Sequence, residues 1–298
     1  MLSREEKRKR REAGDISQEN PKILPLPEPL LPPQPLQPPL PPQELVKLRG
    51  SLDDVTLIIK AFERPLCLDR LIKSIDQFYP NIKIIVADDS REIFSISRKN
   101  FSRIVLPFNT GISYGKNRAL FAVKTPYVVV LDDDFIFTEK TQLEIWLDIL
   151  ESSSIDLVGG DVQGFPHYEA CLNEEEFKNG IVHFEKKNKG NEYGCPLFDI
   201  TLSFWMGKTE AIKKFGAWDD EFKVVEHSVF FLRAFNKIKI AYCDRVKVDH
   251  SHTRKNSSEN YEKLKNEKAN YFFNLILEKF NLQKFIGPTG NTLSRKTK

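Results

Sequence analysis

From Val55 onward the chain alternates β-branched apolar runs with amphipathic segments, and few folds accept that alternation. VTLIIKAF (55–62) predicts a buried strand, and Leu66 to Phe78 sets Leu68, Leu71, Ile72 and Ile75 at helical spacing. IKIIVADDS (82–90) predicts a second strand ending in acids, Ser113 to Val123 a helix, and YVVVLDDDF (127–135) a third strand running into carboxylates. Strand, helix, strand, helix, strand with short links predicts an α/β domain, a mainly parallel sheet with helices on both faces. Ligands of such open sheets gather beyond the carboxyl ends of the strands. Asp88-Asp89 and Asp132-Asp133-Asp134 both lie at such ends.

Further along, Lys140 to Glu151 predicts a helix, followed by irregular chain to about Cys195 with a polar loop at Glu185 to Tyr193. FDITLSFWMGK (198–208) predicts a strand, Glu210 to Phe215 and Val225 to Phe235 helices, and residues 239–252 short strands ending in histidines. Tyr261 to Phe280 predicts an amphipathic helix that packs back onto the domain.

A length of 298 residues allows one sizeable core plus a tail. Residues 1–50 read as a charged, then proline-rich, disordered tail and spacer, residues 51–286 as the folded domain, and 287–298 as a disordered basic tail. The proline-rich stretch Pro21 to Gln43 reads as a stiff stalk or as a ligand for an SH3 or WW domain. The net charge of +3 combines a basic run, Arg4 to Arg11, with a nearly balanced remainder, so nucleic acid is not implied.

Four scattered cysteines make no scaffold and no zinc pattern, though Cys195 and Cys243 could bridge in an oxidising lumen. The longest apolar runs are strand-sized, short of the ~20 residues of a membrane-spanning helix. No signal peptide or anchor is visible, so the expected compartment is the cytoplasm for a complete chain, or the Golgi lumen for a fragment of an anchored protein.

Three consecutive aspartates after a strand of valines repel one another and are costly to bury without partners. A divalent cation relieves that repulsion, and oxygen ligands select Mg²⁺ or Mn²⁺ with positions left for substrate phosphates. On an extended chain Asp132 and Asp134 would point the same way and Asp133 elsewhere. Asp88 and Asp89 also suit a turn or helix cap. The loop from Asn109 through Gly111 enters a helix, and its amides with Lys116 and Arg118 could meet a diphosphate. His250 is a candidate metal ligand, and Glu226 or His227 a candidate general base, since either side chain can accept a proton. Trp205 and Trp218 could stack on sugar faces or belong to the core.

Together TLIIKAFERP, IIVADDS, PFNTGISYGKNRAL, KTPYVVVLDDDFIF, DLVGGDV, GAWDDEF and VDHSH resemble the catalytic domain of the beta-1,4-N-acetylgalactosaminyltransferases of ganglioside and blood-group type, within the inverting GT-A glycosyltransferases. The resemblance covers about residues 54–252. It implies a metal-dependent enzyme with a UDP-sugar donor and a glycan or glycolipid acceptor. Asp88 and Asp89 would hold the uracil and ribose side, with Gly111, Lys116, Arg118 and Asp133 also on the donor. Asp132 and Asp134 would be the DxD pair on Mn²⁺ or Mg²⁺, His250 the third ligand, and Asp199 a sugar contact.

Related enzymes carry a catalytic Asp where EHSVFFLR (226–233) has His227, which leaves the base open between Glu226, His227 and Asp219-Asp220. The alternatives are a catalytically silent GT-A-like binding module with a proline-rich interaction tail, a transferase using another UDP-sugar, and a nucleotidyltransferase, against which the late GAWDDEF and VDHSH segments argue.

Overall fold

In the computed structural model, which describes residues 50–251 and 269–295, every residue of the first strand is buried, as in a strand covered on both faces. From the amino end the elements are β1 (Val55–Ala61), α1 (Pro65–Phe78), β2 (Lys83–Asp88), β3 (Phe101–Val105), α2 (Ile112–Ala122), β4 (Tyr127–Asp132), β5 (Phe135–Ile136) and α3 (Leu143–Ser152). Next come β6 (Leu157–Gln163), β7 (Cys171–Leu172), α4 (Glu174–Lys178), β8 (Ile181–Glu185), β9 (Asn191–Glu192), β10 (Cys195–Phe198), β11 (Trp205–Lys208) and α5 (Thr209–Lys214). They are followed by α6 (Glu226–Ala234), β12 (Ile240–His250), α7 (Ala269–Lys279), β13 (Lys284–Ile286) and β14 (Thr292–Ser294).

The main sheet has the order β3-β2-β1-β4-β11-β6-β12-β10-β9, with β5 paired to β12. Strands β3, β2, β1 and β4 are parallel. β11 lies antiparallel between β4 and β6, and β12 is parallel to β6. The two reversals cancel, so β1, β2, β4, β6 and β12 all end at one rim. Alternation along the strands feeds two cores. Leu57, Ile59, Val129 and Leu131 meet Leu71 and Ile75 of α1 and Leu143 and Trp146 of α3. Ile58, Val128 and Val130 meet Ala119 and Leu120 of α2 and Phe230 of α6. Each such buried side chain contributes about 1.5–3 kcal/mol. A second sheet, β14-β13-β8-β7, shares the latter core through Val182 and Phe285 beside Phe272 and Ile276 of α7.

Several expectations are corrected. The run at 127–135 is not one strand: Asp133 and Asp134 form a turn, and Phe135 begins a short strand pairing with His250. The supposedly irregular stretch to Cys195 contains β6 through β9, short pieces hidden by the glycines of β6 and by polar residues. Within 198–208 the strand residues are Phe198, the last of β10, and Trp205–Lys208; between them Asp199 leaves the ladder to accept from the Leu172 amide. The late strands are the single β12, with a register irregularity between Tyr242 and Lys247. β3 is an additional strand, its burial too slight to leave an apolar signature. The expected tail at 287–298 contains β14, which pairs with β13 while Leu293 packs on the core. Cys195 and Cys243 are neighbours on β10 and β12, and all four cysteines are buried free thiols.

The proline-rich segment and the rest of the sequence before Gly50 lie outside the described residues, as does part of the expected helix from Tyr261. Among the described residues no helix is long and apolar enough to cross a membrane.

Gly160 of β6 is boxed in: a Cβ there would lie 2.5 Å from the Trp146 ring, 2.6 Å from the Val246 carbonyl oxygen and 2.9 Å from the Phe204 ring. These neighbours are rigid. Gly160→Ala is therefore expected to lower stability in urea unfolding by roughly 2 kcal/mol through overpacking, and an unchanged midpoint would contradict the packing.

Candidate active site

Beyond the shared rim of strand ends lies a cavity of about 500 Å³, open on one side. Its lining includes the charged side chains of Lys60, Arg64, Asp89, Lys116, Asp132, Asp133, Asp134 and Glu226, interleaved with Phe62, Phe165, Tyr168, Leu202, Val225 and Phe272. The charged groups are laid against one another in pairs.

Asp89, at the end of β2, is buried and ion-paired with Lys60. Its other oxygen accepts from the Gly111 amide at 3.0 Å and the Thr110 hydroxyl at 3.2 Å. Gly111 has φ +105°, and a Cβ there would meet the Lys223 backbone at 2.6 Å, so glycine is needed twice over. The Ile112 amide donates to the Lys223 carbonyl at 2.9 Å. The amides of Gly111 and Ile112, expected to face a ligand, are thus already engaged. Gly115 lets the stem of Lys60 pass, since a Cβ would lie 2.4 Å from Lys60 Cδ. Asn117 clasps the 218–220 segment, donating to the Trp218 carbonyl at 2.9 Å and to Asp220 at 2.6 Å. The GxxxGxN pattern is therefore a packing device that holds Lys60 and Asp89 in place.

Lys116, one turn into α2, is buried, with Nζ 3.1 Å from Glu226 and 3.4 Å from Asp132. Burial opposes its charge, but these two carboxylates outweigh that cost and hold its pKa above the usual lysine range. Ser203 donates to the other oxygen of Asp132 at 2.6 Å. In the turn beyond, the Arg64 guanidinium forks across Asp133 and Asp134, reaching Asp134 Oδ2 at 2.7 Å. Asp133 is buried, and burial with its neighbouring carboxylates pushes its pKa up to about 7 despite Arg64. For Asp134 burial acts in the same direction, but His250 and Arg64 overcome it and hold the carboxyl below its usual range.

His250, the last residue of β12, places Nε2 3.3 Å from Asp134 Oδ2, with its ring edge-on to Phe165. A carboxylate oxygen and an imidazole nitrogen thus meet at Asp134 and His250, donor types that Mn²⁺ or Mg²⁺ could use, while the Arg64 guanidinium holds the same carboxylate oxygen. Asp132, expected as the first ligand, is turned toward Ser203 and Lys116, because the chain enters a turn after it. Among the described residues no group of three His, Cys, Asp or Glu side chains is arranged to hold a metal ion.

Glu226 and His227 open α6 from a left-handed residue, Val225, at φ 65° and ψ 16°. That conformation is strained for a β-branched side chain. His227 lies edge-on between Tyr168 and Phe231, and its Nε2 is buried without a hydrogen-bond partner. Burial pushes its pKa down to about 4 against the pull of Glu226, so the ring is neutral near pH 7.

Other expected site residues lie outside the cavity lining. Asp88 caps the Ser90 amide and faces Arg103. Arg118 covers Tyr114 and approaches Asp220, Asp219 pairs with Arg233 and Lys279, and Asp199 pairs with Lys189. Trp205 and Trp218 stack on each other in the core. Conversely, Lys60, Arg64, Ser203 and Tyr168 line the cavity but carried no role in the sequence reading. A lysine inside an otherwise apolar strand was the visible signal for Lys60. Arg64 and Ser203 had none, because their partners are distant in sequence.

Two outcomes are expected. At a left-handed position the usual order of alanine over glycine inverts, so Val225→Gly should be more stable than Val225→Ala by roughly 1 kcal/mol in urea unfolding; the ordinary order would show that the turn is unstrained. Because the folded pKa of His227 lies below its unfolded value near 6.5, its stabilising effect is complete above that pH and lost as pH falls toward about 4. Wild type should therefore lose on the order of 1–3 kcal/mol more than His227→Gln between pH 7 and 4, and parallel pH profiles would contradict the burial.

Comparison with known proteins bears on this geometry. The chain is 35% identical over 200 residues to mouse beta-1,4 N-acetylgalactosaminyltransferase 2, covering 66% of this chain and 39% of that protein. It is 33% identical over 207 residues to human beta-1,4 N-acetylgalactosaminyltransferase 1, with the same shares covered. The chain thus spans about two fifths of the length of these curated relatives. Among solved structures, residues 1–349 of Staphylococcus aureus TarS superpose with a TM-score of 0.49 at 15% identity, over 66% of this chain and 60% of that one. The family described as Glycosyl transferase family 2 matches residues 56–216, more than half of the sequence, and the chain belongs to that family.

Proposed function

We propose that this domain transfers a sugar, N-acetylgalactosamine by its relatives' names, from a UDP-sugar to a hydroxyl of a glycan or glycolipid acceptor with inversion at the anomeric carbon. The observation that carries this reading is the meeting, in one cavity, of the Asp134–His250 pair with a neutral imidazole that has an unengaged nitrogen. The end of β2, with Asp89 anchored by Lys60, is the side assigned to the nucleoside. Asp134 and His250 would hold Mn²⁺ or Mg²⁺, which supplies positive charge to the diphosphate as UDP departs. Lys116, kept protonated by Asp132 and Glu226, adds fixed positive charge near the same place.

His227 is the proposed proton acceptor. As the acceptor oxygen bonds to the anomeric carbon and the bond to UDP breaks, the proton leaves that oxygen for Nε2. Glu226 is the positioning residue, because its carboxylate is engaged by Lys116 at 3.1 Å and lies beside the imidazole in sequence. The lining around His227, with Tyr168 against the imidazole, is assigned to the acceptor and excludes water from the reacting atoms.

The test is UDP release from a panel of UDP-sugars, with and without Mn²⁺, in wild type, Asp134→Ala and His227→Ala. One donor should turn over with metal, Asp134→Ala should lose it by on the order of 10²-fold or more, and His227→Ala should lower kcat by roughly 10²–10⁴-fold with donor binding retained. A protein that binds none of the donors in the presence of Mn²⁺ would refute the reading.

A further inference from the structure

Arg64 sits where the resemblance places a metal. It precedes the first residue of α1, lies on the cavity wall, and lays both terminal nitrogens on the aspartate turn, one on Asp133 and one on Asp134 Oδ2 at 2.7 Å. The same oxygen, Asp134 Oδ2, is the one 3.3 Å from His250 Nε2. An ion held by that oxygen and that nitrogen would sit close to both. It would therefore face, on a shared carboxylate oxygen, a guanidinium of like charge whose N–H is directed at the lone pairs it needs. Sharing Asp134 Oδ2 sets the two cations against each other.

Asp133 differs from Asp134 in having no such second suitor. It is 2% exposed, and the guanidinium is its partner in the structure. Arg64 can consequently yield Asp134 while keeping Asp133, or turn its fork toward a newly bound anion in the cavity that it already lines. A diphosphate is the anion whose paired oxygens suit a planar fork.

We propose that Arg64 is a resident cation that competes with the divalent ion for Asp134, and that a bound diphosphate relieves the competition by drawing the displaced guanidinium to itself. This inference rests on the donor reading above and deepens it. It makes metal and nucleotide binding cooperative through one side chain: alone, the ion takes Asp134 from Arg64 and offers the freed nitrogen nothing in exchange, whereas bound UDP offers it a phosphate oxygen. By linkage the ion must strengthen UDP binding by the same factor.

The experiment measures Mn²⁺ affinity by calorimetry and by the electron paramagnetic resonance of free Mn²⁺, with and without UDP, in wild type, Arg64→Ala and Arg64→Lys. Because Arg64→Ala strands the buried Asp133 and can fail to fold, the double variant Arg64→Ala with Asp133→Asn is measured beside it, and circular dichroism checks each fold. Removing Arg64 should tighten Mn²⁺ binding in the absence of UDP by roughly tenfold and cut the tightening that UDP confers by a similar factor. Arg64→Lys, a point charge without the fork, should fall between.

Equal Mn²⁺ affinity in wild type and the folded variants would overturn the proposal, as would weaker affinity without UDP in the double variant. Failure of the donor reading is distinguishable. Wild type that binds UDP and Mn²⁺ indifferently to residue 64 sinks the competition alone, whereas wild type that binds neither sinks both.

Discussion

Mutual neutralisation of charge at the ends of the parallel strands is the condition on which the rest of the molecule depends. The cavity lining contains five carboxylates, from Asp89, Asp132, Asp133, Asp134 and Glu226, against the cations of Lys60, Arg64, Lys116 and Lys223. Isolated charges at this depth would each cost several kcal/mol, so the fold spends local geometry on pairing them. Gly115 is bare so that Lys60 can reach Asp89, the turn after Asp132 aims two carboxylates at Arg64, and α6 begins in a strained conformation so that Glu226 can meet Lys116.

How much of this could be read from the chain follows from what each signal depends on. β1, α1, α2 and β4 were legible because burial on one or both faces leaves a local period in the residues themselves. β7 and β9, two residues each, leave none, and the glycines of β6 mimic a loop although they answer to Trp146 and Thr201 across the core. The aspartate run was legible as a charged cluster at a strand end, but its geometry was not. An extended chain was assumed where charge repulsion and the pairing of Phe135 with His250 impose a turn.

Pairings across long separations account for the remainder. Arg64 and Asp134 are 70 positions apart, and Lys116 and Glu226 are 110 apart. Nothing in either neighbourhood announces the partner. Conversely Asp88, Arg118 and Asp199 had the right chemistry and motif position, and the structure engages them with Arg103, Asp220 and Lys189 instead. Residue type restricts what a side chain can do, while topology decides which neighbour it does it with.

Part of the apolar lining has a different origin from the charged groups. Phe272 reaches the cavity from α7, a helix whose sequence follows the whole of the main sheet and whose other buried residues, Ile276 and Leu277, belong to the same core as the second sheet. Asp89 and Asp132–Asp134 sit at or just beyond ends of the parallel strands and answer to the central register, whereas Phe272 comes from a helix outside the main sheet. Substitution at Phe272 can therefore reshape part of the apolar lining without touching the ion pairs at the strand ends, so the shape of the cavity and its charge can vary independently.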